Sequence, residues 1–299
     1  MNDPVTSKMT GNMISGTISG TISGRARLAG VAGWPIAHSR SPRLHNYWLQ
    51  AYGIDGAYLP LAIAPENFEA AIRALPKLGF AGCNVTLPHK EAAFHLVDRA
   101  DPAAQRMGAL NTIVVAADGS LEGFSTDGFG FLHALKQGAP ALDLPQGPAV
   151  LVGAGGTAKA VAVALLEAGV PKLIIVNRTE ARAQALVEGL DAKITVVAWK
   201  DRAECLGSAQ LLVNTTTQGM QGQPALDLAL DDLPDMAVVM DAVYTPLITP
   251  LLAAARARGN LIVDGLGMLL HQARPGFAAW FGREPVVDQA LRDYILAGL

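Results

Sequence analysis

Along the chain, short apolar runs that read as strands take turns with longer stretches whose apolar residues recur at helical spacing. Residues 28–33, 57–63 and 82–86 are predicted strands. Residues 42–52 carry Leu44, Tyr47, Trp48 and Ala51 on one side of a helix. Residues 65–78 read as a helix opened by proline, and residues 90–97 as another. Two further runs, 110–115 and 121–124, flank Ala117-Asp118-Gly119, a hairpin signal. An antiparallel pair inside an otherwise alternating pattern predicts a mixed first sheet.

Gly and Pro cluster over 138–147, and beyond them the pattern becomes regular. Strands are predicted at 149–152, 173–176, 193–197, 210–213, 237–241 and 261–263. Several are apolar on both faces, as a parallel sheet covered by helices requires. Strands of this kind with helical crossovers describe a doubly wound nucleotide-binding fold. Residues 268–299 are helical in pattern. They either continue the second domain or return to the first, and pattern alone does not decide.

Length and composition narrow the picture. A chain of 299 residues suggests two domains, and 51% hydrophobic with 16% charged residues supports buried cores. A net charge of −3 gives no sign of a nucleic-acid or membrane-surface binder. Cys83 and Cys205 stand far apart, so a reducing cytoplasm is the simple reading. No apolar run reaches the roughly 18 residues of a membrane span. Residues 1–24 contain the repeat ISG-TISG-TISG, which lacks the basic start and apolar core of a signal peptide and reads as a flexible tail.

Directly after the strand at 149–152 comes Gly153-Ala154-Gly155-Gly156-Thr157-Ala158, which fits G-x-G-x-x-A. Gly153 permits a tight turn, Gly155 lets the backbone approach a pyrophosphate, and Ala158 allows close helix–strand packing. The following helix offers free N–H groups and a positive dipole end to phosphates. The next strand runs into Asn177-Arg178-Thr179, where an acidic residue would have bound a free ribose 2′-hydroxyl. Arg178, with Arg182 one turn later, instead suits a 2′-phosphate, and Thr179 adds a hydroxyl at the helix start. The expected cofactor is therefore NADP rather than NAD.

Polar residues in the first half resist explanation as packing. Ser39 and Ser41 precede a helix, where hydroxyls either cap the helix or bind a carboxylate. Lys90 follows a strand end and a proline and opens a helix, a position the helix dipole opposes, so it is a candidate acid/base. Asn111 stands at a strand start. Asp127 follows the hairpin and begins a helix, with N-capping as its competing role.

Taken together, GWPIAHSRSPRLHN, NVTLPHK, GALNT, STDGFGF, GAGGTAKA, NRTEARA and DGLGMLLHQARPGFAAWFG resemble, in content and order, the motifs of shikimate dehydrogenases. The resemblance runs from Gly30 to Gly282. It implies an α/β fold of two domains and NADP-dependent interconversion of 3-dehydroshikimate and shikimate, a step of aromatic amino acid biosynthesis. The implied division is a mixed-sheet substrate domain, 25–126 with helices 268–299 packed back on it, and a doubly wound Rossmann domain, 127–267. It implies Lys90 and Asp127 as the catalytic pair, Ser39 and Ser41 as holders of the substrate carboxylate, Thr86 at the substrate ring, Asn111 and Gln272 at its hydroxyls, and Tyr244 lining the cleft. It places Gly153 to Ala158, Asn177, Arg178, Thr179, Arg182 and Thr215 on the cofactor, with Gly265 and Met268 in a loop beside the nicotinamide.

The chain departs from the family pattern in places. Ser125-Thr126-Asp127 stands for Asn-Thr-Asp, Arg274 and Pro275 interrupt a Gln-Ala-Ala run, and Thr215 stands at a usual alanine. None of these removes a group that must handle a proton. No metal is required: the six histidines, His38, His45 and His89 among them, are not at ligand spacing, and structural roles are expected for each. The expected partner is the small-molecule substrate, with no nucleic acid or membrane, in a cytoplasmic monomer or homodimer. Quinate and aminoshikimate dehydrogenases are the neighbouring alternatives. A non-catalytic nucleotide sensor is the alternative from another class, and loss of Lys90 or Asp127 would be its signature.

Overall fold

The computed structural model describes residues 22–188, 190 and 193–298. Most of the expected tail, residues 1–21, lies outside them. At its end, Ser23 donates from its backbone to Asp55 Oδ1 at 3.1 Å and from its hydroxyl to the same carboxylate.

The strands β1 (Arg27–Gly33), β2 (Gly56–Ala62), β3 (Phe80–Val85), β4 (Arg99–Ala100), β5 (Thr112–Val115) and β6 (Leu121–Phe124) form one sheet in the order β2-β1-β3-β5-β6-β4. The hairpin β5–β6 and the β3–β5 pair are antiparallel and the remaining pairs parallel, so the sheet is mixed as expected. The strands β7 (Ala149–Val152), β8 (Leu173–Val176), β9 (Ile194–Val197), β10 (Leu211–Asn214), β11 (Val238–Asp241) and β12 (Ile262–Val263) form a second, wholly parallel sheet. Its order, β12-β11-β10-β7-β8-β9, reverses direction between β7 and β10. Ligands of doubly wound sheets bind at that reversal. Both faces of this sheet are buried: Ala149 and Leu151 join one apolar core, Val150 and Val152 the other. That accounts for unbroken apolar strands in place of alternating ones.

The helices are α1 (Ser41–Tyr52), α2 (Phe68–Ala74), α3 (Lys90–Leu96), α4 (Pro102–Met107), α5 (Asp127–Gly138), α6 (Gly156–Glu167), α7 (Glu180–Val187), α8 (Pro250–Ala257), α9 (Gly265–Phe281) and α10 (Gln289–Leu296). The helix expected over 65–78 is divided into a 3-10 turn at Pro65–Asn67, α2, and a second 3-10 turn at Pro76–Leu78. Pro76 lacks the N–H that would continue the helix. α4 is a helix beyond those the pattern predicts: Asp101 caps it by accepting the Ala104 N–H at 2.8 Å, with Pro102 in its first turn. α9 begins earlier than the pattern indicated, because Asp264 caps it through the Leu266 N–H at 3.1 Å.

α9 packs back on the first sheet. Trp280 and Phe277 are fully buried against Trp48 and Tyr58, and Trp280 Nε1 donates to the Ile113 carbonyl at 3.0 Å. Gly82 makes that approach possible. Its φ is +147°, and a Cβ there would come within 2.4 Å of Trp280 Nε1 and 2.0 Å of the Ile113 oxygen. α5 and α9 also touch backbone to backbone. A Cβ on Gly130 would lie 2.6 Å from Gln272 Cβ and 2.7 Å from the Met268 oxygen. This contact carries the start of α5 and the middle of α9 to one place.

Candidate active site

One cleft of about 230 Å³ is lined by Ser39, Ser41, Thr86, Lys90, Asn111, Asp127, Tyr244 and Gln272, so the catalytic and substrate candidates all converge on it. They come from the loop after β1 and the first residue of α1, the residue after β3, the first residue of α3, the residue before β5, the first residue of α5, the loop after β11, and α9. Gly33 clears space for Thr86, whose Cγ2 would lie 2.6 Å from a Cβ there.

At the centre, Lys90 Nζ donates to Asp127 Oδ2 at 2.6 Å. Asn111 Nδ2 donates to the other carboxylate oxygen at 2.8 Å. The Asn111 amide is held the right way round: its Oδ1 accepts the Thr126 N–H at 2.9 Å and the hydroxyls of Thr112 and Thr126 at 3.0 and 3.1 Å. A backbone N–H only donates and an ionised carboxylate only accepts, so the two faces of the amide are assigned. Asp127 is buried and its carboxylate does not cap α5, which decides against the capping role. Lys90 keeps part of its side chain accessible, 22% against 6% for Asp127, so the ammonium is the half of the pair open to the cleft.

The network continues behind Asn111. Thr112 Oγ1 accepts from Asn84 Nδ2 at 3.0 Å, and Asn84 Oδ1 accepts from the Tyr58 hydroxyl at 2.5 Å. Burial raises the Tyr58 hydroxyl well above its ordinary range, so it stays protonated and donates. Beside this network, Ser39 Oγ accepts the N–H of Ser41, the first residue of α1, at 3.3 Å. The Gln272 side chain has no hydrogen-bond partner among the described residues. The cleft thus presents hydroxyl and amide side chains together with an ammonium–carboxylate pair.

The cofactor candidates do not line this cleft. Gly153 has φ +120°, and a Cβ on it would strike Thr215 Oγ1 at 2.5 Å. Thr215 follows β10 and donates to the Val152 carbonyl at 2.8 Å, so the two loops meet at the strand-order reversal. A Cβ on Gly155 or Gly156 would meet nothing within 4 Å, and no side chain caps α6. The turn is therefore open above the helix N-terminus, as a pyrophosphate cradle requires. Ala158 is fully buried. Asn177 Nδ2 donates to the Thr179 carbonyl at 2.8 Å, and Thr179 is the N-cap residue of α7 without a side-chain cap bond. Arg178 and Arg182 are exposed, with no carboxylate partner among the described residues. Gly265 and Met268 correct the expectation of a loop: both lie in the first turns of α9, and the Met268 side chain is packed in the core between α5 and the second sheet.

Reading by residue type passed over Arg40 and Asn84, which also line the cleft. Asn84 is a polar residue within the otherwise apolar strand β3, a signal that was available. Three histidines are buried among the described residues, and His271 Nε2 lies 2.9 Å from Gln137 Oε1. His45 stacks on Tyr58 at 3.9 Å and His89 on Phe68 at 4.2 Å.

Residues 31–113 match the shikimate dehydrogenase substrate-binding domain, and residues 136–221 match shikimate/quinate 5-dehydrogenase. Over 91% of its length the chain is 60% identical to the shikimate dehydrogenase (NADP(+)) of Paramagnetospirillum magneticum, covering 99% of that protein. Among solved structures it superposes on shikimate 5-dehydrogenase from Thermus thermophilus in complex with NADP(H) and shikimate. The TM-score is 0.79 at 38% identity, over 91% of this chain and 100% of that one. It also superposes on quinate dehydrogenase from Corynebacterium glutamicum in complex with NAD, with a TM-score of 0.84 at 33% identity, over 91% and 99% of the two chains.

Proposed function

This chain belongs to the shikimate dehydrogenase family, and from that premise we infer that it is an NADP-dependent oxidoreductase interconverting 3-dehydroshikimate and shikimate. The observation that carries the reading is the Lys90–Asp127 pair in a cleft also lined by hydroxyl and amide side chains. When bound, the cofactor takes or supplies the hydride. The chain's own residues bind, orient and move the proton. As the ring ketone is reduced, its oxygen gains negative charge, and the Lys90 ammonium stabilises that charge and donates a proton to it. In the reverse direction Lys90 takes the proton back. Asp127 fixes the ammonium and accepts from the neighbouring ring hydroxyl, while Asn111 fixes Asp127.

Ser39 and Ser41 hold the carboxylate, and the Ser41 backbone bond to Ser39 Oγ leaves the Ser39 proton free to donate. Thr86, Gln272 and Tyr244 enclose the ring. For the cofactor, the turn Gly153 to Ala158 receives the pyrophosphate, Thr215 supports that turn, and Arg178 and Arg182 beside Asn177 and Thr179 take the 2′-phosphate. Gly265 and Met268 act through the backbone at the start of α9. The proposed division is a substrate domain of residues 25–126 with 268–299 and a cofactor domain of residues 127–267. Among the described residues no helix is long and apolar enough to cross a membrane. We place the enzyme in the cytoplasm as a monomer or homodimer that does not bind nucleic acid.

The deciding experiment follows NADP reduction by cofactor absorbance, first with shikimate and then with quinate. Turnover of shikimate at the higher kcat/KM is expected. A preference for quinate would move the assignment to the neighbouring activity, and turnover of neither would leave a nucleotide-binding role.

A further inference from the structure

The serines at the start of α1 offer hydroxyls but no charge, while the carboxylate they are assigned to carries one. Arg40 stands between them and is the N-cap residue of α1. Nothing in helix energetics favours an arginine there, since Ser, Thr, Asp and Asn are the preferred caps and the helix dipole disfavours a cation at that end. Arg40 lines the same cleft as Ser39, Ser41 and Tyr244 and is partly buried. Lys90 and Asp127, the other charged side chains of the lining, are paired with each other. Among the described residues Arg40 has no carboxylate partner. Its charge reaches Tyr244: burial raises the Tyr244 hydroxyl, and Arg40 acts against that rise. The guanidinium and the phenol both belong to the cleft lining. A partly desolvated, unpaired cation recovers the lost hydration when an anion meets it.

We propose that Arg40 sets the preference of this cleft for anionic ring substrates, its guanidinium pairing with the carboxylate that Ser39 and Ser41 hydrogen-bond. The inference rests on reading the cleft as the shikimate site. A planar fork matches a carboxylate in two-point geometry, which a hydroxyl pair alone does not.

The test compares shikimate with its methyl ester, which has the same ring and hydroxyls without the charge, in the wild-type full-length enzyme, Arg40→Leu and Arg40→Lys. For Arg40→Leu the shikimate KM is expected to rise about ten- to a hundredfold, the scale of a charged hydrogen bond, with kcat and the NADP KM little changed. The ester KM should stay the same, so the preference for the acid collapses. Arg40→Lys should restore part of it, because the charge remains and the fork is lost. An unchanged acid-to-ester ratio in Arg40→Leu overturns the proposal. If that variant fails to fold by circular dichroism, an unchanged ratio in Arg40→Lys overturns it instead. Absence of shikimate turnover in the wild-type enzyme would strike the reading of the cleft itself, a different outcome from either.

Discussion

Lys90 Nζ lies 2.6 Å from Asp127 Oδ2, although the two residues are 37 positions apart in the chain. Each opens a helix, Lys90 at the start of α3 and Asp127 at the start of α5. The helix dipole opposes a lysine in that position and favours a carboxylate, so the ion pair offsets at α3 what the helix alone disfavours. Antiparallel pairing of β5 with both β3 and β6 brings the two helix starts together, because β3 leads to Lys90 and β6 to Asp127 at the same end of the sheet.

Lys90 is assigned proton transfer in the transition state, a contribution of about 10²–10⁴ in rate. Lys90→Ala should lower kcat at least about a hundredfold while shikimate still binds. Asp127→Asn should also be severe, and the double variant should be no worse than the poorer single one, since groups acting as a unit are non-additive. Lys90→Arg keeps the charge but does not readily give up its proton. Shikimate oxidation by Lys90→Arg at the wild-type kcat would exclude Lys90 as the base.

Asn111 is predicted to matter through the position of Asp127. Asn111→Leu keeps similar volume but strands the Thr126 N–H and removes a donor from the carboxylate. The melting temperature should fall by the equivalent of about 1–3 kcal/mol, the cost of an unsatisfied buried group, and kcat should fall with it. Thermal unfolding and steady-state rates on the same preparation check this, and an unchanged kcat would separate Asn111 from the catalytic pair.

For the cofactor, Arg178→Ala should weaken NADP roughly ten- to a hundredfold, corresponding to about 1.5–3 kcal/mol for a charged hydrogen bond. NAD should be little affected, because it lacks the 2′-phosphate. Titrations with both cofactors provide the comparison, and equal losses would contradict the assignment.

Gly153→Ala should be damaging for two reasons that act together. The φ of +120° is rarely adopted by residues with a Cβ, and that Cβ would meet Thr215 Oγ1 at 2.5 Å. A cost of about 1–3 kcal/mol is expected for the backbone alone, together with weakened NADP binding. Shikimate binding, measured separately, should survive because the cleft residues are elsewhere. A variant with wild-type NADP affinity would show that the turn does not carry the cofactor.

Acid stability should depend on His45. Burial lowers its pKa from 6.5 to about 3, and its ring nitrogens have no hydrogen-bond partner among the described residues. The folded state therefore keeps the neutral ring, while the unfolded chain takes up a proton below about pH 6.5. This contribution to stability is complete above that pH and is lost as the pH falls toward 3, at about 1.4 kcal/mol per pH unit. His45→Phe retains an aromatic ring for the stack on Tyr58 and should flatten the acid limb between those pH values. Equal acid limbs for both proteins, followed by denaturant unfolding, would assign the acid sensitivity to other groups.

The amino-acid sequence by itself determined the strands of the second sheet, the glycine turn after β7 and the basic residues after β8. Those features are local: an apolar run of strand length, a position that only glycine tolerates, a charge at a fixed distance from a turn. It also singled out Lys90, Asp127 and the serines of α1, because each is a polar or charged residue where packing alone gives no reason for one. Only the tertiary structure decided that α9 returns to the first sheet, since an apolar helix of that kind can cover either sheet and the choice depends on Gly82 and Gly130 admitting close contact. It also decided the role of the Asp127 carboxylate, which helix capping and an ion pair with Lys90 both suited. Finally, it decided that Arg40 lines the cleft without a carboxylate partner among the described residues. A sequence records which charges exist, whereas pairing depends on which side chains the fold brings within a few ångströms of one another.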